Sequence, residues 1–305
     1  MPNRGPIQNK NEIVRASHLS GFPWLVHGFS TRVGGFSRAY GGGALNLGFT
    51  RGDSKSAVER NRTAFLAAVA GANLKRTKAL GKPAHGASSP ICKLVTLKQV
   101  HSDIIHLVDS SALESLVGDG MITSTPALLL AIQTADCLPI ILVDIKRRAV
   151  GAFHAGWRGT VKRIVEKGVG EMQRWFGSRP RDLKAAIGPG IHGCCYTVGE
   201  EVRENFESQF AYAAKLFREV KESDPVREKY PLLFLTARAP GHGELPKKIF
   251  LDLVEANRQQ LVAAGVAAKN IEASPLCTSC RTDLLFSYRA EKGKTGRMMA
   301  VVGTR

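Results

Sequence analysis

Three residues of this sequence, His101, Cys137 and His154, combine two imidazoles with one thiol. Each sits at the end of an apolar run, in LKQVHS, IQTADCLPI and AVGAFHAGWRG. Imidazole and thiolate are donors that zinc takes readily, and three protein ligands leave a fourth position open to water or substrate. The separations, 137−101=36 and 154−137=17 residues, are too long for a local zinc knuckle, so the fold has to assemble the centre. The same trigonal set can hold copper. Two other readings stay open at this point. Cys137 and His154 could form a metal-free nucleophile and base, with Asp136 orienting the pair. Alternatively, Cys137 is a buried small hydrophobe and each histidine a hydrogen-bonded core residue.

Anion chemistry is the second theme. HAGWRGT places two glycines and Arg158 at an expected helix N-terminus, where free N–H groups and the helix dipole favour phosphate. GFSTRVGGFS sets Arg32 among similar neighbours, although a turn after a strand has the same composition. Cys277-x2-Cys280 is half a zinc or redox motif without a second half, and adjacent Cys194-Cys195 reads as packing.

The elements that must position these residues follow from hydrophobic pattern. Apolar, β-branched runs at 92–100, 128–133, 138–144, 149–154 and 183–188 have strand length and suggest a central sheet. The 159–176 segment spaces Val161, Ile164, Val165, Val169, Met172, Trp175 and Phe176 as one amphipathic helix. A second helix is expected over 251–264, closed by Gly265, and a third from near Gly199. The closing stretch LLFSYRAEKGKTGRMMAVVG reads as two strands joined by a Gly/Lys turn. Residues 1–20 read as a polar arm and 21–305 as a single catalytic domain. The Pro-, Gly- and charge-rich segments 72–90 and 221–247 read as surface insertions.

With 305 residues, 44% apolar and 23% charged, the chain has the make-up of a globular protein and enough material for a sizeable core. No run suits a membrane span, and the N-terminus lacks an apolar signal region, so a cytoplasmic location is expected. Six cysteines in such a length do not make a disulfide scaffold. A net charge of +17 could serve nucleic acid, but the basic residues are scattered without a recognition motif, which favours a solvated basic surface.

The ordered motifs HGFSTRVGGFS, NLGF, GD, NR, QVHS, DGMIT, TADCLPI, GAFHAGWRGT, AIGPGIHGCCYTVG, LDL, CT and FSYR, spread from about Phe22 to Gly303, resemble the YfiH family. Its members were once labelled polyphenol oxidases or laccases. The resemblance implies a single-domain α/β (α+β) sandwich with a central mixed sheet, similar to the bacterial toxin deamidases. It also implies zinc, or possible copper, on His101, Cys137 and His154. The implied chemistry is phosphorolysis of inosine, guanosine, adenosine and methylthioadenosine, with inorganic phosphate as co-substrate, and deamination of adenosine. In that scheme His101, Cys137, His154 and Arg158 are catalytic, while Arg32, Asn46 and Asp136 line the substrate pocket. A peptidoglycan-precursor editing amidase is an alternative, as is a binding module with structural zinc. Copper-dependent phenol oxidation is the weakest: eight histidines with no H-x-H pair cannot build a multicopper cluster. The expected partners are purine nucleosides and phosphate rather than membrane or nucleic acid, and the expected assembly is a monomer or weak homodimer.

Overall fold

The computed structural model describes residues 13–77, 93–110, 116–221 and 247–305. The chain clusters into two compact units, one of Met1–Ile191 with Leu253–Arg305 and one of His192–Asp252.

The larger unit is a layered α/β arrangement. Its first sheet runs β1 (Ile13–Val14), β2 (Leu25–Ser30), the C-terminal strand (Met298–Thr304), β7 (Leu128–Thr134) and β4 (Lys93–Val95). The second holds β5 (Ile105–Leu107), β6 (Gly120–Thr123), β8 (Leu138–Asp144), β9 (Ala149–Ala155), β10 (Leu183–Ile187) and β14 (Ile271–Ala273). Their spatial order is β14-β10-β8-β9-β6-β5. Both sheets mix parallel and antiparallel pairs. The five strands expected in one central sheet are thus divided between two.

Alternation along β7 explains the layering. Leu128, Leu130 and Ile132 join Ile141, Val143, Val150 and Ala152 in the core between the sheets. Leu129 and Ala131 face the other way, into a cluster with Phe65 and Val69 of α1 (Lys55–Thr77). A sheet covered on both faces needs apolar residues at consecutive positions, which is why LLLAI lacks polar interruption. On the outer face of the second sheet, α3 (Ile164–Phe176) buries Ile164, Val165, Val169 and Met172. Gly168 permits that approach, because a Cβ there would stand 2.5 Å from the Phe153 ring.

The expected helix 159–176 is two helices, α2 (Trp157–Val161) and α3, separated by Arg163 in the left-handed conformation at φ 63°. The break is stabilised from outside. Asn257 and Gln260 of the helix at Leu253–Ala263 (α5) donate to the Thr160 hydroxyl and carbonyl, at 3.0 and 2.7 Å. That helix ends before Gly265, whose φ of +91° suits glycine.

In the smaller unit, β11 (Thr197–Val198), β12 (Phe217–Lys221) and β13 (Lys247–Leu251) form an antiparallel sheet in the order β11-β13-β12. Here α4 (Glu200–Glu207) starts after Gly199 as expected.

Three further expectations are qualified. Residues 13–20 of the expected arm are built into the fold, since Glu272 accepts from the Ser17 and His18 amides and from Ser17 Oγ. Residues 78–90 and 222–246 of the expected insertions lie outside the described residues, whereas α1 runs on to Thr77. The closing segment has one strand rather than two, which we number β15 (Met298–Thr304). Its FSYR portion is a turn because its amides meet carboxylates instead of a ladder: Ser287 N–H donates to Glu291 and Arg289 N–H to Asp136.

Candidate metal centre

Cys137 lies where the chain leaves β7 in one sheet and enters β8 in the other. The crossing needs a sharp turn, and Asp136 makes it at φ +91°, a region non-glycine residues rarely occupy. Its carboxylate holds that turn by accepting from Thr278 Oγ1 at 2.6 Å, Ser287 Oγ at 2.7 Å and Arg289 N at 2.6 Å. Asp136 is buried and its oxygens are occupied by these donors.

His154 is on β9, paired with Pro139 of β8, so the strand register alone brings it beside Cys137. His101 comes from the loop between β4 and β5 and adopts φ 58°. The Nε2 atom of His101 is 3.8 Å from Cys137 Sγ, and the His101 and His154 rings are 4.9 Å apart. One donor atom from each of the three residues lies within 4.8 Å of the others. Donors at the corners of a tetrahedron around zinc stand ~3.5 Å apart for Zn–N and Zn–S bonds of ~2.1 and ~2.3 Å. His154 is buried and His101 exposed, so one side of the cluster faces solvent.

Gly156 supplies the room. A Cβ at this position would stand 2.9 Å from Cys137 Sγ and 3.2 Å from the His101 ring. Glycine is therefore required by the cluster itself.

Asp119, fully buried at the start of β6, organises the centre from behind. Its Oδ1 accepts from His101 N at 3.0 Å and contacts His154 Nδ1 at 2.8 Å. Its Oδ2 accepts from Val100 N at 3.2 Å, Ser102 N at 2.6 Å and Ser102 Oγ at 2.7 Å. One carboxylate thus fixes the left-handed backbone of His101 and leaves Nε2 of His154 to face Cys137, the arrangement a ligating histidine needs. Sequence reasoning missed this role. Its only trace is the aspartate of DGMIT, and an aspartate before a strand reads equally well as a turn residue.

The electrostatics suit a cation. Burial pushes the Cys137 thiol up, but the charge of His154 and the hydrogen bond from His101 outweigh it and lower its pKa. Burial pulls His154 down, yet the Cys137 thiolate and Asp119 hold its pKa above the usual imidazole range. For Asp119, burial is overcome by hydrogen bonds from His154 and Ser102, which keep it ionised. Thiolate, oriented imidazole and anionic support together are the donor set of a metal centre.

The remaining expected site residues fall in different surroundings. Arg158, exposed at the first turn of α2, lies 4.3 Å over its neighbour Trp157, and its guanidinium makes no hydrogen bond among the described residues. Arg32 is tied up, donating to Glu291 at 3.0 Å, Thr282 O at 2.7 Å and Tyr40 O at 2.9 Å. Asn46, expected to line a pocket, is fully buried. It bonds Gly48 on both sides of its amide, Asp53 at 2.8 Å and Arg297 N at 2.8 Å. A side chain so enclosed shapes the loop around it.

The arrangement thus defines a mixed α/β protein with a fold-assembled His, Cys, His centre at the rim of two packed sheets. The chain belongs to the YfiH family: the family model described as multi-copper polyphenol oxidoreductase laccase matches residues 26–305. A purine nucleoside phosphorylase of Deinococcus radiodurans is 36% identical over 292 residues, covering 95% of this chain and 92% of that protein. An adenosine deaminase, RL5, from an unknown prokaryotic organism is 35% identical across 67% of this chain and 72% of its own length. Among solved structures, YlmD of Geobacillus stearothermophilus matches with TM-score 0.72 at 32% identity, covering all of both chains. The YfiH protein of Bacillus licheniformis matches with TM-score 0.70 at 33% identity, covering 92% of this chain and 93% of that one.

Proposed function

We propose that this chain is a zinc-dependent purine nucleoside enzyme. Its reactions are phosphorolysis of inosine, guanosine, adenosine and methylthioadenosine and deamination of adenosine. The observation that carries this reading is the convergence of His101, Cys137 and His154 on one point that Gly156 leaves open. Names of relatives that cover nearly the whole chain support the substrate class.

His101, Cys137 and His154 would hold the zinc, which would supply Lewis-acid chemistry and activate water there. The protein does the rest. Asp119 keeps the proton on Nδ1 of His154 and holds the His101 loop, so both imidazoles present fixed donor atoms. Arg158, exposed and without a hydrogen bond among the described residues, meets inorganic phosphate and presents it to C1′ as the bond to the purine breaks. Arg32, Asn46 and Asp136 act behind the pocket by fixing its loops. Among the described residues no helix is long and apolar enough to cross a membrane, and we place the enzyme in the cytoplasm.

One second reading has a specific observation in its favour. The 3.8 Å contact between Cys137 and His101, with His154 beside them, would also serve a metal-free thiolate hydrolase, such as an amidase editing a peptidoglycan precursor. Copper oxidation of phenols is disfavoured by the absence of any H-x-H pair in the sequence. Elemental analysis of wild type, His101→Ala and Cys137→Ala, beside a phosphate-dependent assay with inosine and adenosine, separates these readings. About one zinc per chain, lost together with purine release in the variants, is expected. Turnover that persists in protein stripped of metal overturns the proposal in favour of the thiolate hydrolase.

A further inference from the structure

Two of the family motifs, NLGF and NR, meet at Gly48, and Tyr288 of a third, FSYR, joins them through Arg297, whose side chain reaches both Gly48 and the Tyr288 ring. The Leu47 amide donates to Arg297 O at 2.9 Å, and Arg62 Nε donates to Leu47 O at 2.9 Å. From this frame two aromatic rings stand in solvent, Phe49 at 57% and Tyr288 at 54% exposure. Each is backed by a guanidinium, Arg62 at 4.4 Å from the Phe49 centroid and Arg297 at 5.7 Å from that of Tyr288. Apolar rings held in place with an open side are platforms for a flat heterocycle.

Beside Gly48 lies the carboxamide of Gln133. A Cβ on Gly48 would stand 2.8 Å from Gln133 Oε1 and 2.6 Å from the Arg297 side chain, so glycine keeps this floor clear. The backbone of Gln133 is fully used: its amide donates to Gln99 Oε1 and its carbonyl accepts from Gln99 Nε2, both at 2.8 Å. Its own carboxamide makes no hydrogen bond among the described residues and is not sealed from solvent. An amide carries both donor and acceptor and pairs with the edge of a purine, whichever complement the base presents.

The surface adjoins the metal centre along the chain. Gln133 precedes Cys137 by four residues, at most ~14 Å of extended backbone. Gln99 precedes His101 by two, and the turn carrying Tyr288 is pinned at Ser287 and Arg289 to Asp136, the neighbour of Cys137. The surface and the centre are thus carried on the same chain segments.

We propose that Gly48, Phe49, Gln133 and Tyr288 form the purine-base subsite, with the Gln133 carboxamide reading the base edge and Tyr288 stacking on its face. The proposal rests on the purine nucleoside reading above and assigns it a specificity residue. The test is steady-state kinetics of Gln133→Leu and Tyr288→Leu in both directions, with zinc content and thermal midpoint measured on the same samples. Neither side chain makes a hydrogen bond among the described residues, so both variants should fold. Gln133→Leu is expected to raise KM for inosine and for hypoxanthine roughly 10-fold or more. KM for phosphate and for ribose 1-phosphate should stay as in wild type, because those substrates lack the base. Tyr288→Leu should raise KM for all purine substrates by roughly 10-fold. Unchanged KM for the base-bearing substrates, or an equal rise for phosphate, overturns the subsite while leaving the enzyme class intact. A wild type that neither turns over nor binds inosine overturns the purine reading and the subsite with it.

Discussion

Replacing Asp119 by asparagine tests whether one buried carboxylate holds the centre together. The two carboxylate oxygens serve five donors, two on Oδ1 and three on Oδ2. An asparagine amide can keep only one oxygen. Whichever side receives the NH2 group then sets a donor against at least two other donors. Each hydrogen bond to a charged acceptor is worth roughly 1.5–3 kcal/mol, so losing two costs about 3–6 kcal/mol of stability in the metal-free protein. The surviving bonds also weaken on loss of charge, and His154 loses the partner that fixes its tautomer. Zinc affinity should then fall by roughly 10–100-fold, the usual effect of removing such a support. The assays are urea unfolding of metal-free wild type and Asp119→Asn, and zinc competition against a chromophoric chelator at fixed pH. If the variant unfolds within about 1 kcal/mol of wild type and binds zinc equally well, Asp119 is not the organiser the geometry makes it.

Three further outcomes are expected. Gly156→Ala places a methyl 2.9 Å from Cys137 Sγ, so the variant should fold yet bind less than half the zinc of wild type under matched conditions; full occupancy would show that the cluster relaxes at no cost. In Gly168→Ala the new methyl meets the Phe153 ring at 2.5 Å. Overpacking should outweigh the better helix propensity and lower stability by about 1–2 kcal/mol, and a raised unfolding midpoint would refute the tight α3 contact. His27 is buried on β2 and is held down to about 4, first by burial and then by the charge of Arg15, with His18 and Glu272 also facing it. The unfolded chain takes up this proton first as the pH falls, so stability is complete above about 6.5 and is lost on approaching about 4. The loss attributable to this group is about 3 kcal/mol. In His27→Leu the slope of unfolding free energy across that window should flatten, and an unchanged slope would assign the acid sensitivity elsewhere.

How much of this was legible in the sequence depends on how local each determinant is. The clustering of His101, Cys137 and His154 was, because residue type carries their chemistry and strand ends carry their placement: Cys137 precedes β8 and His154 sits near the end of β9, strands whose apolar runs are plain in the sequence. What surrounds them was less so. Asp119 is one of 26 acidic residues, and nothing within a few positions tells it from a surface turn. Its role arises only when β6 pairs with β9 and carries it under both histidines. The division of five strands between two sheets was likewise hidden, because both sheets are buried on both faces and their strands share one continuous apolar pattern. The break between α2 and α3 depends on Asn257 and Gln260, almost 100 residues further on, so hydrophobic spacing alone reads one helix. FSYR illustrates the same rule in reverse. Its alternating aromatic and polar residues resemble a strand, but two distant or downstream carboxylates, Asp136 and Glu291, take its amides and turn it toward the centre. Long-range polar partners, rather than local propensity, decide the geometry at this site, which is why its three clustered side chains could be named from sequence and their supports could not.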